Sequence, residues 1–380
     1  MLNFICRRNA VELIVVAVVV LLVSADVALA QEKDQRFKYE KLGGVVFASG
    51  DDYELKCDIY QPISDQPRPI MLALHGGAWT TGSKFAMIRH ARILANRGYV
   101  VMALDYRLAP KHKWPAQIHD CKHAVRWIRE HAKKYNGDPE RVYVFGYSAG
   151  GHLASLLATT DADDGLEDDA VEPFAKHSTR VQGIIAGGSP MDFSWLDQNS
   201  GVLKHWIGGS RTQTPDAYLS ASPVTYVTED DPVAVMFHGK ADLLVPISSP
   251  QTFYEKYLQQ DLKADLIFTS NGHASTFTQT TVFLQCLHKL EALLAKERTV
   301  QKMVTVRDWA GELVSADASA VVSIEALATF LAGTKGMTEQ EVAEALSSER
   351  DGKRFFLQRK GTVLTVEEAV GIDGEKMSAP

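Results

Sequence analysis

The stretch that decides the reading is VYVFGYSAGGHLASLLA, Val142 to Ala158. Its apolar run predicts a buried strand that stops at Gly146. One serine follows, hemmed in by glycines, and from Ala149 to Thr159 the apolar residues recur at helical spacing. Gly146-Tyr147-Ser148-Ala149-Gly150 therefore fits G-x-S-x-G in a strand–turn–helix context, where the turn is sharp enough to push the serine oxygen out at the end of a sheet. Small residues are needed at 146 and 150, and the helix N-terminus beneath the turn favours negative charge developing there.

A serine hydroxyl is a poor nucleophile at neutral pH. It needs a base, and the base needs an orienting carboxylate. For this turn the expected chain order is Ser, then Asp or Glu, then His. Downstream, VAVMFHGKADLLVP closes a predicted strand and offers Asp242, and ADLIFTSNGHASTF closes the next and offers His273. Asp192, also after a strand, competes for the acid role, and Asp242 is preferred on order and context. His75 and His238 lie at strand ends and read as structural histidines that hold loops by hydrogen bonds. His177, His205 and His288 lack suitable placement. His119 and His123 sit four apart on a helix with Cys121 between them, but no third ligand is indicated, so no metal site is assigned. The remaining requirement is a set of donors for an oxyanion. His75-Gly76-Gly77-Ala78 follows a strand, and its glycines let N–H groups approach a substrate oxygen. Gly76, Gly77 and the N–H of Ala149 are the candidates.

Around this centre the chain alternates. PIMLALHGG, YVVMALD, RVYVF, VQGIIAG, VAVMFHG and ADLIFT are strand candidates, while 84–98, 114–135, 149–159, 249–261 and 275–296 have helical spacing. The alternation predicts an α/β fold, a mostly parallel sheet with helices on both faces, and functional groups beyond the carboxyl ends of the strands. The segment from Gln31 to about Gln66 is read as lying ahead of the sheet. Asp161 to Glu172 is strongly acidic and reads as a solvated surface loop. Ser189 to Asp231 is a long insertion at the active face, of the kind that forms lids or pocket walls. Trp79, Trp114, Trp195 and Trp206 are candidates for a pocket wall or for ordinary core.

The chain has 380 residues and a net charge of −7, with no long basic run, so nucleic acid is excluded as a partner. Residues 1–30 read as a secretory signal peptide. Arg7 and Arg8 precede an apolar run from Leu13 to Val23, and Ala28 and Ala30 make an A-x-A site with cleavage after Ala30. The mature protein is then periplasmic or secreted with no stable membrane span. An uncleaved anchor is the rival, but Glu12 and Asp26 leave a run short of the roughly 20 residues that cross a bilayer. Cys57, Cys121 and Cys286 then remain, too few and too separated for a disulfide framework, and they read as small apolar core residues. Residues 31–297 form the catalytic domain. Residues 298–380 abandon the alternation and read as a small α+β accessory domain. It has helices in SIEALATFLAG and TEQEVAEALSS, the second opening on a Thr338/Glu341 capping box, and a hairpin in KRFFLQRKGTVLTV turning near Lys360-Gly361. Acidic residues outnumber basic ones there, against DNA binding. Oligomeric state is left open.

HGGAW, DYRLAP, GYSAGGHLA, HGKADLLVP and NGH together resemble the α/β-hydrolase superfamily, and within it the hormone-sensitive-lipase-like esterases and the bacterial feruloyl- and acetyl-esterase-like enzymes. The resemblance covers roughly residues 38–297. It implies an α/β-hydrolase fold, Ser148 as nucleophile, Asp242 as acid, His273 as base, and Gly76, Gly77 and Ala149 as oxyanion donors, with no cofactor or metal. Asp105 to Pro110 and Asp120 match positions that shape the fold and pocket rim. The substrate implied is a small-molecule or saccharide ester. H-G-G-A-W departs from the H-G-G-G of the best-known lipase branch, and its tryptophan is shared with arylformamidases, so amidase, arylformamidase or peptidase action is the alternative. A non-catalytic binding protein on the same fold is a third reading; it predicts a missing member of the Ser–Asp–His set.

Overall fold

The structure is a computed structural model that describes residues 36–167, 174–194 and 200–295, together with strands at 322–323, 349–350, 353–360 and 363–369. The chain divides into two compact units, Met1–Leu290 and Glu291–Pro380.

The first unit is built on a sheet of eight strands in the order β1-β2-β4-β3-β5-β6-β7-β8. These are β1 (Tyr39–Gly50), β2 (Tyr53–Pro62), β3 (Arg68–Leu74), β4 (Val100–Leu104), β5 (Gly137–Tyr147), β6 (Gly183–Gly187), β7 (Val233–Gly239) and β8 (Ala264–Thr269). From β4 to β8 all neighbours are parallel. The central strands β4, β6 and β7 are buried along their whole length. That is why they read as unbroken apolar runs: both faces are covered. The covering helices are α1 (Ile88–Asn96), α2 (Ala116–Glu130), α3 (Ala149–Thr159) and α6 (Ser248–Gln259), and two short helices, α4 (Gly201–Ile207) and α5 (Pro215–Ser220), lie in the long insertion. The last helical segment is broken. It comprises α7 (His273–Thr278) and a second stretch through 280–295, parted at Gln279.

Residues 39–62, expected ahead of the sheet, are part of it. β1 and β2 form an antiparallel pair turning at Asp51-Asp52, and β2 pairs antiparallel with β4, Cys57 opposite Leu104. β1 is an edge strand whose residues are mostly exposed, so it lacks a clean apolar alternation. Breaks in register near Gly43-Gly44 and Phe47 bend it, a device that discourages pairing with another chain.

The acidic loop is also more than solvated surface. Glu167 accepts from the buried Lys122 ammonium at 2.8 Å and pairs with Arg126 at 2.6 Å, both on α2. The three cysteines are free and buried, as their apolar reading requires. Burial pushes the Cys57 thiol up to about 12.

In the second unit, β11 (Lys353–Lys360) pairs antiparallel with β12 (Val363–Ala369), the expected hairpin, in a sheet of order β10-β11-β12-β9. β9 (Val322–Ser323) and β10 (Glu349–Arg350) complete it. Ser323, expected to open a helix, lies in β9 opposite Val363. The rest of the two expected helices, with the capping box, falls outside the described residues.

Candidate active site

The chain reverses its direction of travel across the sheet at β3, since β4 lies on one side of it and β5 on the other. Such a switch point opens a crevice at the carboxyl ends of the two strands. The register sets Leu74 beside Gly146, so the segment after β3 and the turn after β5 emerge side by side. A Cβ on Gly76 would stand 3.0 Å from the Tyr147 carbonyl oxygen and 3.2 Å from the Ser148 Cβ. Sheet topology thus brings the H-G-G segment against the serine.

Ser148 holds φ 56° and ψ −121°, a conformation that costs an L-residue on the order of 1–3 kcal/mol and persists only when its surroundings enforce it. They do. The Ser148 N–H donates to Gly187 O at 2.7 Å, and its carbonyl accepts from His152 N at 2.9 Å. The flanking glycines are there for space. A Cβ on Gly146 would lie 2.1 Å from Gly150 O, and one on Gly150 would lie 2.1 Å from Leu74 O. The side chain of Ser148 is only partly covered.

Asp242 and His273 meet. His273 Nδ1 donates to Asp242 Oδ2 at 2.6 Å. The other carboxylate oxygen accepts from the N–H groups of Leu244 at 2.9 Å and Val245 at 3.0 Å. Burial pushes the Asp242 carboxyl upward, but the bonds from His273, Val245 and Leu244 outweigh it and hold it below its ordinary value. His238 serves the loop role expected of it: Nε2 donates to Val245 O at 3.0 Å, behind the carboxylate. Asp192 is engaged elsewhere, its Oδ1 accepting from both the N–H and the hydroxyl of Ser194.

His273 reaches the serine's neighbourhood over the end of β6. A Cβ on Gly188 would lie 3.1 Å from His273 Cε1 and 2.7 Å from Tyr147 Cζ, and one on Gly187 would lie 2.6 Å from Tyr147 Cδ2. Gly187-Gly188 is the gap through which the elbow and the histidine turn approach each other. The sequence reading missed this pair, although two glycines closing a buried strand are a usable signal.

The H-G-G-A-W segment is held from behind. Ala78 and Trp79 both have positive φ, 52° and 58°, each costing about 1–2 kcal/mol. The Gly77 carbonyl accepts from Thr80 and Thr81, both at 3.0 Å. Trp79 is 3% exposed. It stacks on Trp206 with centroids 3.7 Å apart, and its indole N–H donates to His152 Nδ1. His152 Nε2 donates to Ala221 O at 2.7 Å, which fixes a neutral ring, and burial carries its pKa down to about 3. Trp79 and Trp206 are therefore core residues. Trp114 is half-buried and donates to Ser220 Oγ, and Trp195 lies outside the described residues. His123 Nε2 bonds to Phe47 O, and among the described residues no group of three His, Cys, Asp or Glu gathers as metal ligands.

Against this geometry, the BD-FAE family model matches residues 57–257, more than half of the chain. The chain belongs to the BD-FAE family. Its matched span runs from β2 to α6 and includes Gly76, Gly77, Ser148, Ala149 and Asp242, with His273 just beyond. A probable carboxylic ester hydrolase of Mycobacterium tuberculosis, LipM, is 33% identical over 218 residues, 54% of this chain and 49% of that protein. The chain spans between 44% and 66% of the length of the curated relatives it matches first. Among solved structures, a bifunctional GH43-CE protein of Bacteroides eggerthii superposes with a TM-score of 0.60 at 26% identity, covering 67% of this chain and 38% of that one. Thermogutta terrifontis esterase 2, phosphoramylated by tabun, gives 0.55 at 27% identity, covering 69% and 94%. The α/β-hydrolase fold expected of this BD-FAE member is the fold observed.

Proposed function

We propose that this chain hydrolyses carboxylic esters through a covalent acyl-enzyme. The observation that carries the reading is the 2.6 Å bond between His273 and Asp242, next to a strained turn that presents Ser148. In the proposed cycle, Ser148 Oγ bonds to the acyl carbon while its proton passes to His273 Nε2. The tetrahedral oxyanion takes hydrogen bonds from the N–H groups of Gly76, Gly77 and Ala149, since backbone donors fixed before the reaction need no reorganisation as charge develops. Collapse breaks the ester C–O bond, and the leaving alcohol takes the proton from His273. Water then attacks the acyl group, gives a proton to the same nitrogen, and the acid departs as Ser148 regains its hydrogen. Asp242 orients the ring and stabilises its cationic form.

The substrates proposed are short-chain or carbohydrate-linked acyl esters. The esterase names of the relatives support ester cleavage. Trp79, which is reminiscent of arylformamidases, is 3% exposed and packed in an aromatic cluster, so it offers little surface to a substrate. Export is part of the proposal and rests on the N-terminal pattern. N-terminal sequencing of protein recovered outside the cytoplasm should begin at Gln31.

The decisive test pairs Ser148→Ala with wild type on p-nitrophenyl acetate and on acetyl- and feruloyl-saccharides, beside N-formyl and peptide substrates. Wild type should turn over esters and take a fluorophosphonate label, and the variant should do neither while staying folded. Full activity in the variant would overturn the assignment.

A further inference from the structure

Tyr147 sits between Gly146 and Ser148, the unspecified position of the G-x-S-x-G turn. Its side chain does not pack anonymously. The hydroxyl donates to the backbone carbonyl oxygen of His273 at 2.5 Å. The ring lies 5.2 Å from the His273 imidazole and 4.9 Å from the Phe277 ring, centroid to centroid. The phenol is buried, which pushes its acidity further from the working range and leaves it a proton donor, and Thr276 and Phe277 of the same turn also face its oxygen.

This contact matters because of where the two residues stand in the sheet. Tyr147 ends β5 and His273 follows β8, three strands away, a separation of about 14 Å at ordinary strand spacing. The route between them through β6, β7 and β8 ends on an edge strand that is only half-buried, and half of the residues in the short helix bearing His273 are exposed. Partly exposed edge elements open locally at low free energy. Backbone bonds from Lys240 N to Thr269 O and from Ala241 N to Asn271 O tie the loop at 240–247 to the turn before His273, so without Tyr147 the base and its carboxylate would shift together relative to Ser148. That loop carries Leu243 and Leu244, 96% and 76% exposed. The Tyr147 bond instead fixes the histidine's own backbone from the residue covalently joined to the serine. Gly188 makes the contact sterically possible, because a Cβ there would lie 2.8 Å from the Tyr147 hydroxyl oxygen.

We propose that Tyr147 is a positioning residue that sets the register of His273 against Ser148 through the hydroxyl–carbonyl bond. The proposal deepens the serine-hydrolase reading and rests on it for its kinetic consequence. Misplacing a catalytic group by a fraction of an ångström lowers the chemical step without weakening substrate binding.

The test uses the full chain carrying Tyr147→Phe, which keeps the ring and removes the donor. On p-nitrophenyl acetate, kcat and the rate of fluorophosphonate labelling should fall about tenfold, the size of one lost hydrogen bond, with KM within about twofold of wild type. The downfield His273 Nδ1 proton, followed by NMR, should exchange with water about tenfold faster. Placing 4-fluorophenylalanine at position 147, which fills the para position but cannot donate, should behave as Tyr147→Phe does and covers the case in which the latter folds poorly. Wild-type kcat, labelling and proton exchange in either variant would overturn the proposal and leave the hydrolase reading intact. If wild type itself neither hydrolyses esters nor takes the label, the hydrolase reading fails. The proton-exchange comparison then still decides whether Tyr147 holds His273.

Discussion

The indole N–H of Trp79 donates to Nδ1 of His152 at 3.1 Å, joining the segment after β3 to the first turn of the helix behind Ser148. One residue carries positive-φ strain beside the proposed oxyanion donors, and the other is four places beyond the proposed nucleophile. Trp79→Phe keeps the stack on Trp206 but leaves His152 Nδ1 buried without a donor. It should cost roughly 1–3 kcal/mol of stability and lower kcat about tenfold with little change in KM. Denaturant unfolding and steady-state kinetics on one preparation check both. A variant with unaltered kcat would show that the segment holds its shape without this bond.

The Asp242 side chain is buried, and each of its oxygens is used, so Asp242→Asn is the sharper probe of its proposed orienting role. The amide would face the Leu244 and Val245 N–H groups and the imidazole with one acceptor instead of two. Turnover should drop on the order of 10³–10⁴-fold, while far-ultraviolet circular dichroism stays that of the folded protein. A drop of less than tenfold would point to a different acid.

Backbone contact at the elbow leaves no room for a methyl group. Gly150→Ala would put its Cβ 2.1 Å from the Leu74 carbonyl oxygen, a rigid strand atom, so α3 must lift off β3. The expected cost is roughly 3 kcal/mol, read from the unfolding midpoint. Gly201→Ala, where nothing lies within 4 Å, should change stability by less than about 0.5 kcal/mol. Equal effects at the two sites would contradict this account of the turn.

Stability should depend on pH through Asp231. Burial pushes its carboxyl up to about 7, against hydrogen bonds from Thr228 and the charge of Arg180. The unfolded carboxyl titrates near its ordinary value of 3.8. Between these values the folded state binds more protons than the unfolded one. The unfolding free energy therefore falls as pH rises through that window and levels off above about 7. Asp231→Asn should flatten this slope and be more stable than wild type at pH 8. A wild-type stability that rises steadily from pH 4 to pH 7, unchanged in the variant, would count against it.

Much of the fold and of the candidate site was legible in the sequence. Unbroken apolar runs marked β3 to β7 because a parallel sheet buries both faces of its strands. The G-x-S-x-G turn was legible because glycine is forced where backbones nearly touch, and chain order narrowed the candidates for acid and base to Asp242 and His273. These are local signals, written in periodicity and in single residues. The β1–β2 pair was not readable, since an exposed edge strand has no buried face to impose a period. Tertiary structure alone decided that Tyr147 reaches His273 across the end of β6, that Gly187-Gly188 clears the way, and that Trp79 and Trp206 stack inside the core. Each of these depends on which strands lie side by side, and strand order is set by packing between segments far apart in the chain, which no local pattern encodes.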